Sequence, residues 1–167
     1  PDVIEDADTF AGNAMKKASE LARWLERPDS RLKTQDSRLL VLADDSGLEV
    51  DALGGQPGVQ SARFAADSRQ PGNSPDADNN AKLLRELGDL PPSRRGARYV
   101  CVLAYLDPGA TRDGERPWVV TRSGTFRGRV AYELRGEGGF GYDPLFEPAF
   151  EPPGGRTVGQ MSAEEKN

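Results

Sequence analysis

The sequence predicts an α/β fold in which a mixed sheet of short strands is flanked by helices. Segments with apolar residues every three or four positions, typical of amphipathic helices, alternate along the chain with short apolar segments typical of strands. Clusters of glycine and proline separate several of these segments, as expected for turns. With 167 residues and no internal repeat, the chain is expected to form one domain.

The first helix is predicted to begin at Asp8 or Thr9, because either residue can cap a helix N-terminus. Its apolar residues fall at the spacing of one buried stripe. They are Phe10, Ala14, Ala18, Leu21 and Leu25. The helix is expected to end before Pro28, and the polar residues 26–38 are expected to form an exposed connection.

The first strand is predicted at residues 39–43, because this run is continuously apolar, as in a strand covered on both faces. The strand would then end on Asp44 and Asp45. These adjacent carboxylates repel each other, and burying them without a partner costs free energy. A positive group is therefore expected beside them, at the end of a strand where open α/β sheets commonly bind ligands.

The remaining elements are predicted from local signals. A helix is expected with Ser74 as its N-cap, Pro75 as its first residue and its end near Gly88. Three strands are predicted, and the last two are adjacent enough to pair as neighbours. They cover residues 97–106, 118–124 and 125–133. Near the end of the chain, Ser162 and Glu165 have the spacing of a capping box.

Composition excludes several kinds of site. The chain has no histidine and one cysteine, which excludes histidine-dependent triads and zinc clusters and leaves carboxylates, lysine or a metal for chemistry. The net charge of −5 provides no general attraction for nucleic acid or an anionic membrane. Because no apolar run approaches the length of a membrane span, we expect a soluble protein with neither partner. Single-cysteine usage is compatible with the reducing cytoplasm.

Two smaller expectations concern single side chains. Cys101 alternates with apolar residues in a predicted strand and is expected to be a core thiol. Arg94, Arg95 and Arg98 form a short basic cluster beside the same strand, which is expected to be solvated.

Asp44 and Asp45 are the first candidate site. Adjacent strand side chains point to opposite faces, so both reach one ligand only if the chain turns at Ser46. One aspartate is then expected to bind directly and the other to support it. Mg²⁺ prefers such oxygen ligands and completes its shell with water and substrate phosphates. The alternative is a solvated turn without a ligand. Glu5, which precedes the first helix, could supply a further carboxylate.

The second candidate site is the glycine-dense loop GGFGYDP at residues 138–144. Glycine costs ordering entropy but lets the backbone pass close to a ligand. Phe140, flanked by glycines, is expected to stack on a purine, while Asp143 accepts hydrogen bonds from a base edge or the backbone. The alternative is a turn in which Phe140 folds into the core. Lys166 could neutralise a phosphate or simply be exposed.

Three segments together carry a family signature. They are TFAGNAMKKA (9–18), LADDSGLEVDALGGQPGVQSARFA (42–65) and GEGGFGYDPLF (136–146). In this order and spacing they resemble the inosine triphosphate pyrophosphatase family, which acts on non-standard purine nucleotides. The resemblance spans nearly the whole chain. It implies an elongated, twisted mixed sheet with two lobes and a central cleft, and it implies a homodimer.

The resemblance also implies an activity, the Mg²⁺-dependent hydrolysis of ITP, dITP and XTP to nucleoside monophosphate and pyrophosphate. At matching positions, Asp45 corresponds to the general base and metal-associated aspartate, with Asp44 as its partner, and Glu5 to an acidic metal ligand. The implied substrate contacts are Ser46, Phe140, Gly141, Tyr142, Asp143 and Lys166. Such an enzyme would remove faulty purine nucleotides from the cytoplasmic pool.

The sequence also departs from the family pattern. It shows neither the N-terminal strand with its triphosphate loop nor the Ser-His-Arg segment after Lys166, so residues 1–167 are expected to form one domain of this type that lacks both. Gly12 stands where the family usually has glutamate. Two alternatives therefore stay open. One is a nucleotide sensor without turnover, and the other is a pyrophosphatase of the septum-inhibition family that acts on modified pyrimidine nucleotides.

Overall fold

The computed structural model describes residues 2–25, 27, 40–66, 72–108 and 118–166. Within these ranges, helices and strands follow one another as α1 (Phe10–Leu25), β1 (Val41–Val50), α2 (Asp76–Leu87), β2 (Gly96–Asp107), β3 (Trp118–Val130), β4 (Phe146–Pro148) and α3 (Ala163–Lys166). Short 3₁₀ helices cover Asp51–Leu53, Gly58–Arg63, Pro92–Arg94 and Val158–Gln160. The strands form one sheet in the order β1-β2-β3-β4. The predicted α/β class is confirmed.

The helix α1 begins and ends close to the predicted positions. Thr9 caps it, because the Thr9 hydroxyl accepts a hydrogen bond from the Gly12 N–H at 3.0 Å. Its buried apolar residues step by four and are Phe10, Ala14, Ala18 and Ala22. The predicted Leu21 and Leu25 are only half-buried. Apart from residue 27, the connection predicted at residues 26–38 lies outside the described residues.

The strand β1 is longer than the sequence predicted. It continues to Val50, so Asp44 and Asp45 lie inside the strand rather than at its end. Its side chains alternate between faces, with Leu42 62% exposed and Asp45 6% exposed. The predictions of a strand end after residue 43 and of two covered faces were therefore wrong. Asp44 lies on the solvated face and Asp45 on the buried face, and neither interrupts the strand.

Residues 118–130 of the two strands predicted at 118–124 and 125–133 form the single strand β3, and residues 131–133 lie outside it. The prediction that these two strands pair with each other was therefore wrong. Gly124 lies inside β3, since one glycine weakens a strand without ending it. The antiparallel neighbour of β3 is β4, with Gly128 opposite Pro148 and Val130 opposite Phe146. A side chain at Gly128 would meet the Phe146 ring, 2.6 Å from its Cζ, so this glycine allows the ring to lie against the strand.

The chain forms two compact units. The first comprises Pro1–Ser46 and Cys101–Gly124, and the second comprises Gly47–Val100 and Thr125–Asn167. The helix α1 belongs to the first unit, whereas α2 and α3 belong to the second. The second unit has a core of buried side chains from its strands, helices and loops. This core is Leu48, Val50, Phe64, Leu83, Leu87, Ala97, Val130, Tyr142, Leu145, Phe146 and Val158.

Of the helix ends predicted for α2 and α3, one differs from the structure and two agree with it. The N-cap of α2 is Pro75, without a side-chain cap, so the prediction of Ser74 as the cap was wrong. Gly88 ends α2 as predicted, with a positive φ of 45°. The capping box of α3 is confirmed, because the Ser162 N–H donates to Glu165 at 2.9 Å and the Glu165 N–H donates to Ser162 at 3.3 Å.

Two predictions for single side chains were wrong. Cys101 is exposed rather than buried in the core. Arg95 is only 1% exposed rather than solvated. Among the helices of the described ranges, none has the length and apolar character of a candidate membrane span.

Candidate active site

One candidate site lies in the first unit, where Lys17 of α1 joins residues from two other segments. Its Nζ lies 2.8 Å from Asp45 Oδ1 and 3.0 Å from Glu5 Oε1. It also donates a hydrogen bond to the backbone carbonyl of Asp44 at 3.0 Å. We call Glu5, Lys17 and Asp45 the acid cluster. The structure thus brings together two of the predicted acids around a lysine that the sequence analysis missed.

Asn13 holds the other oxygen of Asp45. Its side chain is fully buried, and its Nδ2 donates to Asp45 Oδ2 at 3.2 Å. Its Oδ1 accepts a hydrogen bond from the Ala7 N–H at 3.0 Å. Because Asn13 and Lys17 are four residues apart on α1, they lie on one helix face and hold both Asp45 oxygens.

Asp44 and Ser46 point away from the acid cluster. As predicted for adjacent strand residues, the side chain of Asp44 lies on the opposite face from Asp45 and is exposed. Its Oδ2 accepts a hydrogen bond from the Ser46 hydroxyl at 3.0 Å. The alternative of a solvated turn is wrong for this pair, since both aspartates are in β1 and Asp45 is buried.

The electrostatics of the acid cluster favour a charged lysine. Burial by itself would lower the pKa of Lys17, but hydrogen bonds to Asp45 and Glu5 outweigh it and raise the pKa above its ordinary value. Lys17 is therefore a cation at neutral pH. It is a positive group of the kind that the sequence analysis expected beside Asp44 and Asp45.

The acid cluster has the donor chemistry for a hard divalent cation. Among the described residues, no group of three or more His, Cys, Asp or Glu side chains is arranged to hold a metal ion. Glu5 and Asp45 nevertheless face the same Lys17 Nζ, and Mg²⁺ commonly binds one or two carboxylates together with water and substrate phosphates. A surface cleft of about 390 Å³ borders Glu5 and Lys17 and provides room for such ligands.

Another candidate site lies in the second unit, around Asp143. Its Oδ1 accepts a hydrogen bond from the Tyr99 hydroxyl at 3.1 Å. Its Oδ2 accepts a hydrogen bond from the Phe140 N–H at 3.3 Å and lies 3.5 Å from Lys166 Nζ. Of the residues predicted from the resemblance, the structure therefore brings Asp143 and Lys166 into direct contact.

A cleft of about 370 Å³ borders this contact. Its aromatic lining comes from Tyr99, Phe126 and Phe150, and its polar lining includes Asp143 and Lys166. Aromatic walls with a few polar groups suit a flat, hydrogen-bonding ligand such as a nucleobase. Gly139 makes the arrangement possible, because a Cβ there would collide with the Asp143 carboxylate and lie 2.8 Å from Lys166 Nζ.

The other predicted residues of the loop have different surroundings. Phe140 is 82% exposed, so the alternative in which it folds into the core was wrong. Tyr142 is buried, and its hydroxyl donates to the Ser61 carbonyl at 2.9 Å. Burial raises the pKa of Tyr142, which keeps this hydroxyl protonated at neutral pH. Tyr142 therefore anchors the loop to the core of the second unit.

Comparisons with known proteins agree with these features. The Ham1 family model matches residues 1–167. The dITP/XTP pyrophosphatase of Geobacillus kaustophilus (strain HTA426) is 47% identical over 167 residues, which are 100% of this chain and 69% of that protein. The dITP/XTP pyrophosphatase of Anaeromyxobacter sp. (strain Fw109-5) is 44% identical over 191 residues, covering 100% of this chain and 74% of that protein.

Solved structures show the same fold. The nucleoside-triphosphatase, or dITP/XTP pyrophosphatase, of Mycobacterium abscessus superposes with a TM-score of 0.74 at 36% identity, covering 99% of this chain and 71% of that one. The Staphylococcus aureus Ham1 protein gives a TM-score of 0.75 at 36% identity with the same coverage of both chains. The family model spans the whole chain, and the family resemblance found in the sequence is confirmed: the chain belongs to the Ham1 family.

Proposed function

We propose that this chain hydrolyses the non-standard purine nucleoside triphosphates ITP, dITP and XTP to nucleoside monophosphate and pyrophosphate. Membership of the Ham1 family and relatives named dITP/XTP pyrophosphatase support this activity. The observation that carries the proposal is the acid cluster, in which a buried carboxylate is held by a charged lysine. That cluster offers both a proton acceptor and a positive charge, the two groups that hydrolysis of a phosphoanhydride needs.

In the proposed mechanism, Asp45 orients the attacking water and accepts its proton. Asn13 and Lys17 keep the carboxylate in one orientation, which favours a productive water position. The ammonium group of Lys17 stabilises negative charge that develops on phosphate oxygens. Asp44 and Ser46 lie on the opposite face of β1 from Asp45, so we assign Asp44 no part in orienting this water. The exposed hydroxyl of Ser46 stays a proposed substrate contact.

We propose Mg²⁺ as the cofactor, held by Glu5 and Asp45. When bound, Mg²⁺ neutralises phosphate charge and favours departure of pyrophosphate.

The loop of the second unit is proposed to bind the base. Phe140 offers an exposed ring for stacking, and Gly141 lets the backbone approach the base. Asp143 and Lys166 supply hydrogen-bonding groups at the base edge, while Tyr142 keeps the loop in place. Lys166 can donate to the 6-oxo group of hypoxanthine and xanthine, whereas the 6-amino group of adenine is itself a donor and gives Lys166 no acceptor there.

We also propose a cytoplasmic homodimer that binds neither nucleic acid nor membranes. Leu42 and Leu103 are large apolar side chains that the first unit leaves exposed, and such side chains are common at subunit interfaces. The net charge of −5 is consistent with the absence of a nucleic-acid partner.

The test is pyrophosphate release from dITP in the presence of Mg²⁺. We expect turnover by the wild-type chain and a loss of about 100-fold or more in Asp45→Asn, because a general base commonly contributes a factor of that size. The control variant is Asp6→Asn, which alters an exposed carboxylate paired with Lys16 and is expected to retain activity.

Three outcomes would contradict the proposal or part of it. Binding of dITP by calorimetry without pyrophosphate release would favour the nucleotide sensor. Faster turnover of dUTP or methylated dUTP than of dITP would favour the pyrimidine nucleotides of the septum-inhibition family. Near-normal activity of Asp45→Asn, with unchanged melting temperature, would remove Asp45 from the role of general base.

A further inference from the structure

The backbone of Gly141 is held on both of its polar groups by side chains of α2. Its N–H donates to Asp76 Oδ2 at 2.7 Å, and its carbonyl accepts a hydrogen bond from Asn80 Nδ2 at 2.9 Å. Asp76 and Asn80 are four residues apart, so they lie one above the other on one face of the helix. We call this pair the α2 clamp. The sequence analysis identified neither residue.

Gly141 lies in a turn, outside any helix or strand, and the α2 clamp holds the loop at this residue. Gly141 has a φ of 58°, a left-handed conformation that directs its amide and carbonyl away from any helix or strand ladder. The next residues have other anchors, since Tyr142 is bonded to the Ser61 carbonyl and Asp143 to the Tyr99 hydroxyl. The turn around Gly141 is closed by its own hydrogen bonds, from the Asp143 N–H to the Phe140 carbonyl at 3.1 Å and from the Phe140 N–H to Asp143 Oδ2 at 3.3 Å. The α2 clamp adds the two hydrogen bonds that fix this turn to the helix.

The helix is a firm support because Asn79, next to Asn80, ties it to the segment before it. Asn79 Oδ1 accepts a hydrogen bond from the Ala65 N–H at 2.8 Å, and Asn79 Nδ2 donates to the carbonyls of Ala62 and Ser74 at 3.4 and 3.3 Å. Asn79 and Asn80 thus have different partners. Asn79 fixes α2, and Asn80 fixes the loop.

Asn80 is an unfavourable choice for stability alone. It is buried, and its Oδ1 has no hydrogen-bond partner among the described residues. A buried acceptor without a partner costs free energy, which an apolar side chain of similar size would avoid. The amide is better explained by the hydrogen bond that it gives to Gly141 than by packing.

We propose that Asp76 and Asn80 are positioning residues for base recognition. By fixing Gly141 they set the direction of the exposed Phe140 ring on one side and of the Asp143 carboxylate on the other. They should therefore control affinity for the base and selectivity among bases, without acting on the phosphates. This inference rests on the proposed function, because it assigns the loop to the purine of the substrate.

The experiment compares Asp76→Ala and Asn80→Ala with Asp78→Ala. Asp78 is an exposed carboxylate in the first turn of the same helix and serves as the matched control. For both clamp variants we expect the KM for dITP to rise while kcat stays within about twofold. The rise should be about tenfold in Asp76→Ala, which removes a hydrogen bond to a charged group, and smaller in Asn80→Ala, which removes a neutral one. Asp78→Ala is expected to leave both constants unchanged.

A second measurement, amide hydrogen exchange of Gly141 without nucleotide, does not depend on activity. In Asp76→Ala the Gly141 amide loses its acceptor, so its exchange should accelerate about tenfold or more. Asp76→Asn keeps an oxygen acceptor and should restore both slow exchange and a low KM. If Asp76→Ala fails to fold, Asn80→Ala still breaks the clamp at the Gly141 carbonyl, and an unchanged KM in that variant overturns the inference.

The outcomes separate this inference from the proposed function. If the wild-type chain does not hydrolyse dITP, the proposed function fails, while exchange at Gly141 still reports on the clamp. If exchange accelerates but KM for dITP and selectivity over dGTP stay unchanged, the clamp is only structural and the inference is overturned. Unchanged exchange in Asp76→Ala would overturn it as well.

Discussion

Lys17 contacts three acceptors that come from two separate stretches of the chain. Glu5 precedes α1, whereas Asp45 and the Asp44 carbonyl belong to β1. A lysine between two carboxylates relieves their mutual repulsion and compensates for the hydration that Asp45 loses on burial. The same contacts hold the carboxylate that we propose as general base, so stability and chemistry depend on one side chain.

The pKa of Lys17 leads to a prediction about stability and pH. Its pKa in the folded state lies above the ordinary value of 10.5, so its contribution is fully present below pH 10.5 and is lost as pH rises through the folded pKa. We expect Lys17→Met to lower the free energy of unfolding by about 2 kcal/mol at pH 8, because Asp45 then stays buried without its cation.

Urea unfolding of the wild type and the variant, at pH 8 and above pH 10.5, measures this effect. The difference between the two proteins should shrink at the higher pH. Lys16→Met removes a pair with the exposed Asp6 and should leave stability nearly unchanged, because solvent screens such a pair. A difference for Lys17→Met that stays constant with pH would show that its charge is not the cause.

The sequence indicated that a positive group lies near Asp44 and Asp45, but it did not indicate which one. Lys17 precedes Asp45 by 28 residues, and nothing local specifies how α1 is rotated against β1. A partial signal was present, because Asn13 and Lys17 lie at helical spacing beside the buried alanines of α1. Phe140 and Asp143 were easier to find, because the glycines around them mark an unusual loop.

At the scale of elements, Arg95 joins the end of α2 to the end of β3. Its guanidinium donates to the carbonyls of Gly88, Val130 and Ala131, each at 2.9 Å. It also lies over the Tyr132 ring, 4.3 Å from the centroid. Gly88 follows the last residue of α2, Val130 is the last residue of β3, and Ala131 follows it. Arg95 therefore donates to carbonyls at the ends of secondary structure, where backbone donors are lacking.

Replacement of Arg95 should therefore destabilise the protein strongly. We expect Arg95→Ala to lower the free energy of unfolding by about 4 kcal/mol, since three carbonyls lose their donor and a cavity forms. Arg94→Ala, at the exposed neighbouring position, should change it by less than about 0.5 kcal/mol. Urea denaturation measures both, and similar small losses in the two variants would contradict the structural role of Arg95.

Elements were predictable where a local pattern fixes them. The buried positions Phe10, Ala14 and Ala18 of α1 and the extent of β2 match the predictions, because helix and strand periods are properties of neighbouring residues. The extent of β1 and the continuity of β3 were not predictable in this way. Polar residues can suggest the end of a strand although they lie inside it and face solvent on one side of the sheet. Backbone pairing across the sheet decides whether the strand ends or continues.

At the scale of the whole molecule, the fold class and the family followed from the sequence, whereas the order β1-β2-β3-β4 did not. Pairing between strands depends on contacts far apart in the chain, which no short segment specifies. The resemblance implied two lobes, but the positions at which the chain divides into its two compact units were not predicted. The strands β1, β2 and β3 contribute residues to both units, so the boundary does not fall in a linker that composition could reveal.

The proposed homodimer is a prediction at this scale. Sedimentation equilibrium should give a mass twice the 18.1 kDa of the chain, because the exposed leucines of the first unit then gain a partner. The measurement is best made over a range of concentrations, so that dissociation can be followed. A single species of 18.1 kDa at every concentration would contradict the dimer.

The positive charge beside Glu5 and Asp45 belongs to a lysine of the chain itself, and this matters when the ionic conditions change. An ion drawn from solution leaves when its supply falls, whereas a charge built into the polypeptide is present at a fixed ratio from the moment of folding. The acids of the first unit therefore have a permanent internal counter-ion. The folded chain therefore holds Glu5 and Asp45 in place even when divalent cations are scarce.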